Sequence, residues 1–423
     1  MMYMPKLLYK IKRHILLPIA TPFLPIYHYF LSILGALIYR FPSRHIKVIA
    51  VTGTKGKSST VEIINSILEE AGYKTALTNT IRFKIGNKSR SNMYKMSMPG
   101  RMFMQRFLRR AVNNDCQYAI LEMTSQGAIQ YRHLFIDFDA FVFTNLSKEH
   151  IEAHGSYENY IEAKLSIARQ ILNSDKENKF MVINADDTEA FRFKTIKTIP
   201  IIDYKISDLK DLVINENGVS FKYKNKIMSS PLKGKANVQN ILASIVCTES
   251  FGIDLDKITK ALSTFSHIPG RFEKIKQGQD FEVIVDYAHT PDSLEKLYQV
   301  YDSKNKICVL GGTGGGRDNW KREAMGKIAQ QYCSQIILTD EDPYDEDPNK
   351  IIDDIKVGIK DKPVHIILDR RQAIKYALNQ AKKGDVVLIT GKGTDPYIMG
   401  PNGMKTPWSD SQIVRRELSD LIH

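Results

Sequence analysis

The chain has 423 residues, 43% of them hydrophobic and 25% charged, a globular composition long enough for two or three domains. Its net charge of +13 would suit a nucleic-acid binder if it were spread over one face, but it is concentrated: residues 1–61 hold nine Lys or Arg and residues 71–114 hold ten, with no acid in either stretch. Those stretches exceed the whole excess, which excludes nucleic acid as the expected partner and favours a local anionic one, a substrate or a membrane surface.

In chain order, residues 1–45 form a short apolar and basic element. Ile15 to Tyr39 is uncharged and flanked by Lys10, Lys12, Arg13, Arg40 and Arg44. Pro18, Pro22 and Pro25 break its first half, leaving a helix over Ile26–Tyr39, too short for a bilayer that needs about 20 residues. A helix docked on the protein and an interfacial helix anchored by Tyr27, Tyr29 and the basic flanks both fit; a true span fits poorly.

Val48 to Thr52 is a β-branched apolar strand. It breaks into Gly53-Thr54-Lys55-Gly56-Lys57-Ser58-Ser59, followed by helical periodicity over Val61–Ala71 with Ile63, Ile64, Ile67 and Leu68 on one side. A glycine loop between strand and helix can wrap phosphate oxygens in backbone N–H groups, with Lys57 neutralising them and the Ser58 hydroxyl ligating Mg²⁺. The spacing between its glycines is tighter than in the commonest loop of this type, but the strand before and the helix after it point to ATP or a similar triphosphate.

Further apolar strands are expected at Tyr118–Met123, Ala140–Asn145, Phe180–Asn184, Val283–Asp286, Lys306–Leu310, Gln335–Thr339, Val364–Leu368 and Val386–Thr390, alternating with helical segments, and a hairpin at Val213–Ile227 around Asn217-Gly218. That is an α/β signature. The tips of such strands carry chemistry, and Glu122 and His150 are there as Mg²⁺ ligand candidates beside Ser58, although Mg²⁺ usually prefers oxygen. Alone, His150 would read as a surface or capping histidine. Cys116, Cys247, Cys308 and Cys333 show no paired or metal-type spacing and read as buried thiols of a reducing cytosol, and no secretory cleavage site is evident.

From about Ile46 onward the chain resembles the Mur ligases, and among them the members that add the third residue of the peptidoglycan stem peptide. The resemblance is carried by Thr52-Gly-Thr-Lys-Gly-Lys-Ser58, Thr144-Asn-Leu-Ser-Lys-Glu-His-Ile-Glu-Ala-His-Gly155, Pro269-Gly-Arg-Phe-Glu273 and Asp286-Tyr-Ala-His-Thr-Pro-Asp-Ser-Leu294. It implies a central P-loop ligase domain over 46–269 and a C-terminal dinucleotide-fold-like ligase domain over 270–423. The implied activity is ATP-dependent amide formation through an acyl phosphate, with two Mg²⁺ ions, in the cytoplasm or at the inner face of the membrane, by a monomer.

The resemblance also implies roles for residues that the sequence alone leaves ordinary. Lys164, otherwise a solvated helix lysine, matches a lysine that CO₂ carbamylates to hold the second Mg²⁺. Asn237 and Asn240, otherwise helix caps, and Arg271 and Asp286 match ATP contacts. Ser97, Thr124, Gln130 and Arg132 match contacts to the muramyl peptide, and Met98 stands where the family usually has threonine. Arg317, Asp342, Tyr344, Gly391 and Asp395 match the amino-acid pocket. Glu341-Asp342-Pro343-Tyr344 replaces the Asp-Asn-Pro-Arg of members that add meso-diaminopimelate, which favours L-lysine or another amino acid, since tyrosine cannot grip a second carboxylate as arginine does. Only about 45 residues precede the P-loop strand where the family has a uridine-holding domain, so the acceptor stays open between a UDP-linked and a lipid-linked muramyl peptide. The alternatives are a folylpolyglutamate-type ligase and a non-catalytic membrane-associated ATP-binding protein.

Overall fold

The computed structural model describes residues 23–149, 154–215, 217–265, 267–316 and 319–422; the expectations for His150, Arg317 and the first 22 residues lie outside the described residues. The chain divides into two compact units. One comprises the described residues up to Val213 with Val219–Pro231 and Lys235–Phe265; the other comprises Ile214–Gly218, Leu232–Gly234 and Ser266 onward.

In the first unit the apolar runs pair into one sheet. Its strands are β1 (Lys47–Thr52), β2 (Thr75–Thr78), β3 (Arg82–Ile85), β4 (Lys88–Ser91), β5 (Tyr118–Glu122), β6 (Ala140–Phe143), β7 (Phe180–Asn184) and β8 (Ile201–Tyr204), in the spatial order β4-β3-β2-β5-β1-β6-β7-β8. The pairing is parallel from β2 to β8 and antiparallel in the β2-β3-β4 edge. Strands β5, β6 and β7 are buried along their whole length, which is why they read as unbroken apolar runs rather than alternating ones. The antiparallel edge and β8 are short or charged, and no apolar run announces them.

Helices α1 (Leu24–Ile38), α2 (Lys57–Glu70), α3 (Arg101–Val112), α4 (Tyr157–Arg169) and α5 (Lys235–Ser250) surround this sheet. Helix α2 begins four residues before the expected Val61, at the glycine turn itself, and Ile63, Ile64, Ile67 and Leu68 are fully buried on its inner side. Helix α4 starts where Ser156 accepts a hydrogen bond from the Asn159 amide at 3.1 Å, an N-cap that satisfies an otherwise orphaned donor. The expected hairpin is present and gains a strand: β9 (Lys210–Asn215), β10 (Gly218–Tyr223) and β11 (Lys226–Ser230) form a three-stranded sheet.

The second unit has a six-stranded sheet of β12 (Glu273–Ile275), β13 (Glu282–Val285), β14 (Lys306–Leu310), β15 (Gln335–Leu338), β16 (Val364–Ile366) and β17 (Val386–Ile389), in the order β12-β13-β17-β14-β15-β16. Only the β12–β13 edge is antiparallel. Its helices are announced by local chemistry, Thr290 capping before Pro291 and Asp347 before Pro348. One expectation is corrected here. Cys308 on β14 and Cys333, just before β15, are joined in a disulfide with Cα atoms 6.2 Å apart, while Cys116 and Cys247 are free and buried. The sequence separation of 25 hides what the adjacency of two parallel strands brings together.

Burial of His133 gives the first unit an acid sensitivity. The ring is 2% exposed, its Nδ1 has no hydrogen-bond partner among the described residues, and burial pushes its pKa down to about 4. Between the ordinary 6.5 and about 4 the unfolded chain binds the proton and the folded chain does not, so stability falls as pH falls through that window, by roughly 3 kcal/mol at most. Urea midpoints measured at pH 7 and pH 4.5 should show this loss, and His133→Gln should make it smaller; an unchanged difference would remove His133 as its cause.

Candidate functional site

The C-terminal ends of β2, β5, β1 and β6 lie side by side along one edge of the first sheet, and the candidate residues gather there. β1 ends in Gly53-Thr54-Lys55-Gly56, after which Lys57 opens α2. Gly56 has φ +81° and Gly53 φ +153°; a Cβ on Gly56 would meet Asn240 Oδ1 at 2.2 Å and one on Gly53 would meet Thr144 Oγ1 at 1.9 Å. The loop is therefore closed to any side chain but hydrogen. It is held from outside: the Thr54 amide donates to Asn145 O at 2.8 Å, the Lys55 amide to Asn145 Oδ1 at 2.9 Å, and Thr144 Oγ1 to Lys55 O at 2.7 Å. Thr54 Oγ1 lies 2.9 Å from the Tyr160 hydroxyl, and Ser59 is buried in the first turn of α2.

Three charged groups converge on this loop. Lys57 folds back so that Nζ donates to Gly53 O at 3.0 Å and Thr54 O at 2.8 Å. Lys164, on α4, reaches Gly53 O from the other side at 2.6 Å. It is 1% exposed, and burial, then the nearby Lys57 charge, hold its pKa well below the ordinary lysine range. Glu122, at the tip of β5, accepts from Ser58 Oγ at 2.6 Å, from the Thr80 amide at 3.0 Å and from Thr80 Oγ1 at 2.8 Å. A hydroxyl and a carboxylate in contact beside a phosphate cradle are a hard-oxygen pair that fits Mg²⁺. Asn237 and Asn240 sit in the first two turns of α5, with Asn240 Nδ2 donating to Asn237 Oδ1 at 3.2 Å.

Thr80 had no signal in the sequence, because β2 is only four residues long. Tyr160 and Arg101 are equally silent as single residues. Arg101 Nη2 donates to Gln130 Oε1 at 3.0 Å, and Arg132 donates to the same oxygen and to Met98 O. Burial, then Arg101, lowers the Arg132 pKa to about 10, and neither arginine has a carboxylate partner among the described residues. Two unneutralised guanidinium groups at one point suit an anion. Beside them, Thr124 caps the short helix Ser125–Ile129 and donates its amide to Met98 Sδ at 3.3 Å, and Ser97 Oγ is buried without a hydrogen-bond partner among the described residues.

In the second unit the loop Gly391–Asp395 packs on Gly270-Arg271, where a Cβ on Gly270 would meet the Thr394 amide at 2.5 Å. Arg271 lies over the Tyr287 ring at 4.2 Å. Asp286 accepts from the Phe272 and Ala288 amides, each at 2.7 Å, and burial raises its pKa against the pull of Arg271. Lys392 is the hub of the neighbouring wall, bonded to Asp342 Oδ1 at 2.8 Å, Asp395 Oδ2 at 3.4 Å and Tyr397 O at 2.6 Å. Glu341 turns Oε2 toward Gly391 with no hydrogen-bond partner among the described residues, and burial raises its pKa. Tyr344 has φ +54° and donates its amide to Met399 O at 2.9 Å.

Residues 51–248 match the Mur ligase middle domain, and residues 270–393 match the Mur ligase, glutamate ligase domain. A UDP-N-acetylmuramoyl-L-alanyl-D-glutamate--2,6-diaminopimelate ligase of Syntrophomonas wolfei is 39% identical over 382 residues, 87% of this chain and 77% of the relative. The solved structure of an enzyme of that name aligns at TM-score 0.61 and 30% identity, covering 89% of this chain and 79% of the other. A Mycobacterium tuberculosis folylpolyglutamate synthase aligns at TM-score 0.70 and 15% identity, covering 86% of this chain and 93% of the other; that likeness is one of fold.

Proposed function

The chain belongs to the Mur ligase family, and on that premise we propose that it is an ATP-dependent amide ligase that adds the third stem-peptide residue to UDP-N-acetylmuramyl-L-alanyl-D-glutamate in the cytoplasm. The observation that carries the reading is the meeting of Lys57, Lys164, Ser58 and Glu122 around Gly53. Bringing a carboxylate to the γ-phosphate of ATP sets anion against anion; Lys57 and the Mg²⁺ that Ser58 and Glu122 would hold supply the cancelling charge. An acceptor carboxylate oxygen bonds to the γ-phosphorus and ADP leaves; the amino acid's free amine then attacks the acyl carbon, losing a proton as phosphate departs. Ser58 and Glu122 are the proposed Mg²⁺ holders, with His150 and a carbamylated Lys164 completing two ion sites. Bound Mg²⁺ draws off phosphate charge. Arg101 and Arg132 are the proposed anchors of the anionic acceptor, and Arg271 and Asp286 are proposed as nucleotide contacts on the family resemblance alone.

The relatives are named for 2,6-diaminopimelate, and a distal ammonium, which diaminopimelate and L-lysine share, suits the Glu341 carboxyl, whose Oε2 has no hydrogen-bond partner among the described residues. L-lysine is the second reading, favoured because Tyr344 offers no charge to a second carboxylate and because Lys392 is already held by Asp342, Asp395 and Tyr397. Phosphate release from ATP, followed with the UDP-linked dipeptide and a panel of L-lysine, meso-diaminopimelate and L-ornithine, tests both. Release requiring acceptor and amino acid together supports the ligase; release only with a folate acceptor and glutamate would replace it by the folylpolyglutamate reading. Tyr344→Arg should raise kcat/KM for diaminopimelate relative to lysine about 10- to 100-fold, the worth of one charged hydrogen-bonded pair. An unchanged ratio would remove residue 344 from the pocket.

A further inference from the structure

Helix α1 is inside out for a helix in water. The side it turns to the protein is small or polar: Ser32, Gly35 and Ala36 are buried, Ser32 Oγ donates to Tyr131 O at 2.8 Å, and a Cβ on Gly35 would stand 3.3 Å from Met102 Cα on α3. The side turned outward is large and apolar. Phe23, Ile26, Tyr27, Phe30, Leu34 and Leu37 recur at helical spacing with 38–67% of their surface exposed, and no charged residue falls within the helix. The orientation is pinned, since Arg109 of α3 donates to Tyr39 O at 2.9 Å and Arg40 O at 3.0 Å at the helix end.

Helix α3, against which α1 packs at Met102, also lines a cleft of about 340 Å³ with the β3–β4 hairpin, with Phe83, Phe103 and Phe107 in its lining and Lys88, Arg90, Arg106 and Arg110 as its cations. None of the four cations has a carboxylate partner among the described residues, and no acid lines the cleft. Arg40 is exposed at the end of the stripe, and the chain before it carries Lys6, Lys10, Lys12 and Arg13 with no acid. No described helix is long and apolar enough to cross a membrane.

An uncharged apolar stripe beside an unneutralised basic cleft matches the two layers of a membrane surface, acyl chains and anionic headgroups. We propose that α1 and the α3–hairpin cleft form a docking face for an anionic lipid bilayer, with the stripe seated at the acyl boundary and the cleft taking lipid phosphates. The inference does not rest on the ligase reading: of these residues Tyr27 alone is named against the candidate site, its ring 5.9 Å from the Arg101 guanidinium, and the variants tested below leave both in place.

The test is flotation of the full-length protein with vesicles of phosphatidylglycerol and phosphatidylcholine against vesicles of phosphatidylcholine alone. The protein is expected to float with the anionic vesicles and to be released by salt. Phe30→Glu with Leu34→Glu, both exposed, should lower that partition about tenfold or more, and Arg106→Glu with Arg110→Glu should cut it about as far by removing the preference for anionic lipid. Thermal melting serves as the check that each variant is folded. Three results would overturn the proposal: no flotation of the parent, flotation of Phe30→Glu/Leu34→Glu equal to the parent, or a parent dimer in light scattering that this variant dissolves, which would make the stripe an interface between copies.

Discussion

Lys57→Ala is expected to lower ATP-dependent ligation about 10³-fold or more while leaving the fold intact. The size follows from the proposed role: a cation set against the transferring phosphoryl group is worth far more than a charge that meets water alone. The fold should survive because the hydrogen bonds of Lys57 to loop carbonyls, Gly53 O at 3.0 Å and Thr54 O at 2.8 Å, are each worth about 1 kcal/mol. Helix α2 is instead held by the burial of Ile63, Ile64, Ile67 and Leu68. Steady-state phosphate release together with a urea melt separates the two effects. Retained turnover would take the glycine loop out of the mechanism, and loss of turnover with loss of the melt would make Lys57 structural.

Lys164 should prove equally indispensable and, unlike Lys57, dependent on CO₂. An ammonium sealed in the position of its Nζ, 1% exposed and near Lys57, is unfavourable by desolvation and by like charge. Both effects shift the balance toward the neutral amine, whose lone pair is the nucleophile. Attack on CO₂ forms an N–C bond and releases a proton, converting a potential cation into a carboxylate-like oxygen donor. Parent enzyme assayed in CO₂-depleted buffer should lose most of its activity and regain it with bicarbonate. Lys164→Ala should lose about 10²- to 10³-fold and should not respond to bicarbonate, while a short carboxylic acid that fits the vacated space should restore part of the rate. A parent indifferent to CO₂, or an active Lys164→Ala, would leave Lys164 as a packing lysine that braces Gly53.

Much of this was legible in the residues because it is local. A β-branched run, a glycine turn and a 3.6-residue period dictate strand, loop and helix over neighbouring positions, and so β1, the glycine loop and most central strands could be read within a residue or two of their ends, and α2 in all but its first turn. The family resemblance rested on the same short stretches. The apolar N-terminal helix was also visible as an element.

What the sequence could not decide is which distant residues meet. β5 inserts between β2 and β1, and this crossover alone sets Thr80, Glu122 and the Gly53 loop side by side, just as α4 carries Lys164 to Gly53 across 111 residues. The same holds for the convergence of Arg101 and Arg132 on Gln130, for the Cys308–Cys333 link and for the side of α1 that faces water. Periodicity says that a residue is on a helix or a strand; burial, charge neutralisation and the resulting pKa depend on the neighbours brought by other elements. The chain by itself determined the chemical parts of a phosphate-handling ligase, and the tertiary structure decided which of them became buried, paired and poised, because those properties belong to packing and not to any single stretch of chain.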